Sequence, residues 1–415
     1  MLDRSTAPPF IKSDNFELPG FKSGDVNGIP LFLIPEVRQD VLKIELMFPA
    51  GKWYEPKAGV SHFTSNMLEK GTQRLNSSEL AEMFDRFGAH IEISAGYDNT
   101  SVSLYALRKN WKEVAEMLAE MIQTPAFDNE ELDLMKDIFL QNLKVNREKT
   151  SFVVSQVIRK NIYGNHPYGT SLEEKDIMEL RPEQLRSFHA ASFSPSAIFV
   201  TTHPSVTMEE VSKRFGLFVK AAGDKSPSPV MTEGQKNEHV PKEGVQTSLR
   251  LGRRTLMRTD AGYPDLLLFN QILGGYFGSR LMKNIREEKG LTYGIYSSIN
   301  PLVHDSFFVI GADVNKDNRD LALEEIRKEI KRMRTEPVDG EELEIARNHF
   351  LGSLQSEVAN PFSVTDKIKN IYLHRLPKNY YPNLFSRINS ITPQDLLDVG
   401  ERYVHEDSMF TATVG

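Results

Sequence analysis

Two periods of hydrophobic spacing interleave along this chain. VLKIELMF (41–48) and NTSVSLYAL (99–107) largely alternate apolar and polar residues, the pattern of half-buried strands. KEVAEMLAEMI (112–122) and NEELDLMKDIFLQNL (129–143) place apolar residues at helical spacing. SSELAEMFDRFG predicts a short helix, with a serine as candidate N-cap and Gly88 as its stop. The second half predicts strands at YGIYSSI and SFFVIGADV and helices over 319–334 and 340–357. Helices and strands do not alternate regularly, and hairpin-like strand pairs are adjacent. That pattern favours an α+β fold with antiparallel-rich sheets over a doubly wound one.

The same signals recur in order. PAFDNEEL at Pro125 is answered by PVDGEEL at Pro337, and FLQNL at Phe139 by FLGSL at Phe350. NIY returns at Asn161 and Asn370, and the helix openers RPEQL and TPQDL place Pro182 and Pro393 at a nearly constant offset. SAIFVTT at Ser196 pairs with SMFTATV at Ser408. Five matches at one spacing predict two tandem copies of one unit. Between them, AAGDKSPSPVMTEGQKNEHVPKEGVQ (221–246) has linker composition. The expected boundaries are a first repeat over 1–222, a linker over 223–246 and a second repeat over 247–415.

Composition narrows the function classes. With 50 Lys and Arg against 57 Asp and Glu, the net charge of −7 argues against a nucleic-acid binder. There is no cysteine, which removes disulfides, thiolate ligands and cysteine nucleophiles. No apolar run approaches a membrane span, and MLDRSTAPPFIKSDNF lacks the apolar stretch of a signal peptide. As written the chain reads as cytoplasmic; a signal peptide already trimmed would make it periplasmic.

One stretch raises a question of chemistry. In KAGVSHFTSNMLEKGT (57–72), positions i, i+3 and i+4 from His62 are Ser65 and Asn66. An H-x-x-E-H helix would put two zinc-binding imidazoles and a general-base glutamate on that face. One imidazole does not hold a catalytic zinc, which takes three protein ligands, and a lone helical histidine is by default a satisfied polar residue. Ser65 has no nucleophile elbow around it. His166 in NHPYG lies in a turn-rich segment where a structural role is the default. GGYFGSR (274–280) lacks the G-K-[ST] of a phosphate loop and reads as a turn.

GVSHFTSNMLEKGT, the following SSELAEMFDRFGAHIEISAGYDNTSVSL and NHPYG together resemble the insulinase and mitochondrial-processing-peptidase family of zinc peptidases. The resemblance runs from about Gly28 to Gly415 and implies tandem α+β domains. It also implies a further glutamate ligand on a long helix downstream, a place taken here by Asn142. Three of the four zinc-site positions therefore depart from the family pattern: Ser65, Asn66 and Asn142. Only His62 remains. In RLMKNIREEKGLTYGIYSS (280–298), Arg286 and Tyr293 match the Arg/Tyr pair that the family's C-terminal half lends to the active site. Gly290 is expected to end the helix carrying Arg286, and Tyr293 to open the next strand. The alternative is a surface arginine paired with a nearby glutamate and a tyrosine chosen for strand propensity.

The resemblance implies a non-zinc subunit of a heterodimeric metallopeptidase, inactive alone and holding no cofactor itself. Its partner would be a homologous H-x-x-E-H chain that brings the zinc, and its substrate an extended peptide. The other expectation is a catalytically inert structural or peptide-binding core protein of the same fold.

Overall fold

A computed structural model describes residues 15–220, 234 and 236–415. The first half runs β1 (Lys22–Val26), β2 (Ile29–Ile34), β3 (Val41–Phe48), α1 (Val60–Asn66), α2 (Ser77–Arg86), β4 (His90–Ala95) and β5 (Thr100–Leu107). Five helices follow: α3 (Trp111–Gln123), α4 (Asn129–Arg147), α5 (Thr150–Tyr163), α6 (Glu174–Met178) and α7 (Pro182–Ser192). Then come β6 (Ala197–Thr201) and α8 (Met208–Phe215). The second half runs β7 (Asn237–Val240), β8 (Gln246–Arg254), α9 (Tyr263–Asn270), two π-helical segments, β9 (Thr292–Pro301) and β10 (Ser306–Asn315). It closes with α10 (Arg319–Thr335), α11 (Gly340–Val358), α12 (Pro361–Leu373), α13 (Tyr380–Ser390), α14 (Pro393–Tyr403) and β11 (Phe410–Val414).

The first sheet has the order β1-β2-β6-β3-β5-β4 and the second β7-β11-β8-β10-β9. With β1 set aside, both are the same permutation of five consecutive strands. Each sheet has one parallel pair, β2 with β6 and β7 with β11, and is otherwise antiparallel. The fold is α+β, two tandem domains each built on an antiparallel-rich sheet. The linker expected over 223–246 is corrected at its C-terminal end, because β7 inside it belongs to the second sheet. Residues 221–233 and 235 of that stretch lie outside the described residues. The short helix α2 begins one residue earlier than its serine suggested. Asn76 caps it, accepting from Glu79 N at 2.9 Å while Glu79 Oε2 accepts from Asn76 N at 3.0 Å.

The central strands β3 and β6 are buried on both faces, not one. Leu42, Ile44, Leu46 and Phe48 of β3 join the core beneath α1 and α3. The opposite face, with Lys43, Glu45 and Met47, is covered by α12 from the second half, whose Val364 and Ile368 pack on Met47, Ala197 and Phe199. The exchange is reciprocal. From the first half, α5 lays Val154, Ile158 and Ile162 on Ala412 and Val414 of the second sheet. Gly252 of β8 permits that approach: a Cβ there would meet Phe308 O at 2.8 Å and Ile162 Cδ1 at 3.1 Å. The polar residues that made β3 look half-exposed are satisfied within the covered face. Glu45, 1% exposed, pairs with Lys43 and with Lys369 of α12, each at 2.8 Å. Tyr372 OH adds a bond to Ser196 O at 2.7 Å.

The turn between β4 and β5 meets the turn between β9 and β10. Asp98 accepts from Tyr168 OH and, at 2.9 Å, from Val303 N, while Trp53 stacks on His304 at 4.0 Å. His166 is fully buried here and accepts from Tyr168 N at 3.1 Å, the structural role its turn suggested.

Burial alone would raise the Glu45 carboxyl, but the ammonium groups of Lys369 and Lys43 override it and hold it below the usual range. A depressed folded pKa contributes stability above the unfolded value of about 4.3, lost as pH falls through the folded value. Glu45→Gln strands the buried Lys43 ammonium and leaves Lys369 with Asp366 alone, and is expected to cost about 3 kcal/mol in urea unfolding at pH 7. It is also expected to flatten the acid limb of the stability profile. A variant as stable as wild type at pH 7 would show that the ion triad does not hold α12 to the sheet.

Candidate functional site

Helix α1 begins at Gly59, whose φ of 91° lies in the left-handed region. Glu55 Oε2 accepts from Gly59 N at 3.0 Å and Ser61 N at 3.2 Å, serving the exposed donors of the helix start. Burial pushes the Glu55 carboxyl up to about 7, only partly offset by Lys52 and these N–H groups. The first turn is thus anchored, and five of the seven helix residues are buried; only His62 and Asn66 are partly open.

At the positions expected to replace zinc ligands, Ser65 and Asn66 are engaged in local packing and hydrogen bonds. Ser65 Oγ donates to Ser61 O at 2.8 Å and lies 2.9 Å from Thr100 Oγ1, itself bonded to Ala50 O at 3.0 Å. Asn66 Nδ2 turns back to donate to His62 O at 2.8 Å. The Phe139 ring of α4 stands edge-on to His62, centroids 5.1 Å apart, and also packs on Phe63 at 5.4 Å. Asn142, on the same helix, is exposed. Burial lowers the His62 pKa, favouring the neutral imidazole.

Among the described residues no group of three His, Cys, Asp or Glu side chains could hold a metal ion. A zinc ion does not fit this donor set. One imidazole is present, the neighbouring hydroxyl and amide are committed to the chain's own carbonyls, and an apolar ring lies against the imidazole.

The second half is built differently. Arg286 sits in a π-helical segment, Met282–Glu288, a widened turn often found at functional sites. The segment is tied down by its neighbours. Arg280 forms a bidentate pair with Glu342 of α11 at 2.9 and 2.7 Å. Asn284 Nδ2 donates to Glu329 of α10 at 2.7 Å, and Lys289 bridges Asn284 Oδ1 at 2.8 Å and Glu325 at 3.2 Å. Arg286 takes no part in this network. Its side chain makes no hydrogen bond or ion pair among the described residues. Its guanidinium lies over the Phe277 ring, 4.6 Å from the centroid.

Gly290, with φ 62°, ends the segment, and Leu291 N closes onto Ile285 O at 2.9 Å. Tyr293 then follows Thr292, the first residue of β9. Ala312 pairs with Ile295 and Val314 with Thr292, so Tyr293 and Gly294 together face Asp313 in a β-bulge. A bulge re-aims the side chain it carries. Tyr293 is 94% exposed and has no hydrogen-bond partner among the described residues.

Two family models match. The insulinase model, peptidase family M16, covers residues 33–176, and the model described as the peptidase M16 inactive domain covers residues 179–350. The chain belongs to the M16 peptidase family. It is 26% identical over 304 residues to an uncharacterized zinc protease, YmxG, of Bacillus subtilis, spanning 71% of this chain and 73% of that one. It is 22% identical over 370 residues to a protein of Helicobacter pylori named non-peptidase homolog YmxG, spanning 86% and 84%. A solved M16 inactive domain from Pseudomonas fluorescens shares the fold with a TM-score of 0.86 and 23% identity, covering 95% of this chain and 98% of that one.

Within this M16 chain, the expected Arg286 and Tyr293 lie on either side of one tight turn, whereas His62, Ser65 and Asn66 are absorbed into α1. Two participants escaped the sequence. Phe139 stands beside His62, and Phe277 beneath Arg286 is nine residues away, a spacing with no periodic meaning. The turn carrying Phe277 is tight for a reason: a Cβ on Gly274 would meet Ser297 N at 2.7 Å. Purified chain dialysed against a weak chelator is expected to retain no stoichiometric zinc. Metal analysis finding about one tightly held ion per chain would overturn the account of Ser65, Asn66 and Asn142.

Proposed function

We propose that this chain is the non-zinc subunit of a two-chain M16 metalloendopeptidase, lending Arg286 and Tyr293 to a site whose zinc a homologous H-x-x-E-H partner holds. One observation carries the reading. The chain satisfies nearly every buried polar group of α1 internally, yet leaves an arginine and a tyrosine on rigid supports with no internal partner. A guanidinium with free donors can grip a substrate carbonyl, and a phenol can donate to the oxygen that gains charge when the peptide carbonyl becomes tetrahedral. The substrate class is an extended peptide. Edge strand β9, ten residues long and unpaired on one side among the described residues, suits strand addition.

The name non-peptidase homolog carried by one relative favours a second reading, an inert core protein of the same fold. Activity of the assembled pair separates the two. Mixed with its zinc-bearing homologue, the wild-type chain is expected to restore peptide hydrolysis. Tyr293→Phe should lower kcat by roughly a hundred- to a thousandfold with little change in KM, since the phenol acts on transition-state charge. Arg286→Ala should harm both constants. Size-exclusion chromatography must show each mutant pair intact. Intact mutant pairs as fast as wild type would favour the inert core protein.

A further inference from the structure

We propose that Phe277 is a specificity-determining residue, receiving a large apolar side chain of the extended peptide beside the carbonyl held by Arg286. This rests on the reading of Arg286 and Tyr293 as substrate-facing. The ring is 63% exposed, and its described aromatic or charged contact is the Arg286 guanidinium at 4.6 Å. In the GGYFGS turn Gly278 follows it with no side chain, and the Tyr276 ring before it is engaged with His349, centroids 4.9 Å apart. One face therefore holds the arginine and the other meets solvent.

Glu287 and Glu288, one and two residues on, leave the helical segment on other faces and do not pair with Arg286, so the ring is the contact that holds it. An aromatic platform does something an ion pair does not. It restrains the planar guanidinium by cation–π attraction while leaving all its N–H donors free. It also offers apolar area to whatever the donors bind. Phe277 is joined on this half of the molecule by two further exposed aromatics, Tyr293 and Tyr296, the latter 44% exposed. Lys283, Arg286, Glu287 and Glu288 lie in the same segment, two charges of each sign, while Lys289 is paired with Glu325, so the surroundings select against neither an acidic nor a basic peptide. Selection falls to the apolar surface. Edge strand β9 beginning at Thr292 makes the occupant an extended chain, whose alternating side chains can place one apolar group on the ring while a neighbouring carbonyl meets Arg286.

The test uses the complex of this chain with its zinc-bearing homologue and fluorogenic peptides identical except for Phe or Ala at single positions around the cleaved bond. A one-sided platform discriminates less than a closed pocket, so at one position kcat/KM for the Phe peptide should exceed that for the Ala peptide by about tenfold. Phe277→Ala is expected to bring this ratio to about twofold or less, and Phe277→Leu to keep most of it. Melting curves of the variants guard against misfolding. If Phe277→Ala leaves the ratio unchanged while Tyr293→Phe still depresses kcat, the ring is only a support and the proposal fails alone. An equal slowing of both peptides would likewise reject the subsite, making Phe277 a positioning residue for Arg286. If Phe277→Ala instead dissolves a self-association of this chain, the surface is a contact between copies. If neither Arg286→Ala nor Tyr293→Phe alters the complex, the underlying reading fails and takes this inference with it.

Discussion

The covering of each sheet by a helix from the other half is the constraint on which the molecule depends. A sheet with only one face buried leaves the other to water, and the alternation in β3 is compatible with that. Here α12 closes the first sheet and α5 closes the second. Neither half has its complete core without the other, so the two behave as one packed body. The cost is a carboxylate taken out of water. Glu45 becomes tolerable there because Lys43 and Lys369 converge on it from two different elements.

This interlock also fixes the surroundings of α1. Helix α4 carries Phe139 and Asn142, and after only two residues the chain enters α5, which is bound to the second sheet. The position of α4 beside α1 is therefore coupled to the exchange, and Phe139 is held against His62. The meeting of Asp98, Tyr168 and Val303 ties the two hairpin turns as well. In such a frame the absence of ligands at Ser65 and Asn66 is no loose end. Their polar groups are bonded to Ser61 O and His62 O, and α1 is a packing element.

The two halves spend their polar side chains in opposite ways. Around α1, each hydroxyl and amide is turned inward. Around the π-helical segment, Arg280, Asn284 and Lys289 absorb the acids of α10 and α11, and Arg286 is left without a carboxylate. Strong anchors on the flanks and free donors at the centre are what the proposed substrate-facing role of Arg286 requires. The bulge at Tyr293 extends the same logic to the strand.

Much of this was legible in the chain itself. Helix and strand periods depend on residues two to four apart, so β3, β5, α3, α4, α10 and α11 fall where local spacing put them. The loss of zinc ligands is a count of residue types, and Gly290 between Arg286 and Tyr293 is a local stop signal. What only tertiary structure decided involves residues far apart in sequence. Lys43 and Glu45 read as a solvent face, yet α12, more than three hundred residues away, buries them. Asn237–Val240 reads as linker because a four-residue strand has too few positions to show a period, and it becomes a strand only beside β11. Phe139 against His62 and Phe277 under Arg286 arise from packing between separate segments. The exposure of Tyr293 comes from a register shift against β10, which no single strand's sequence can specify because register belongs to the pair.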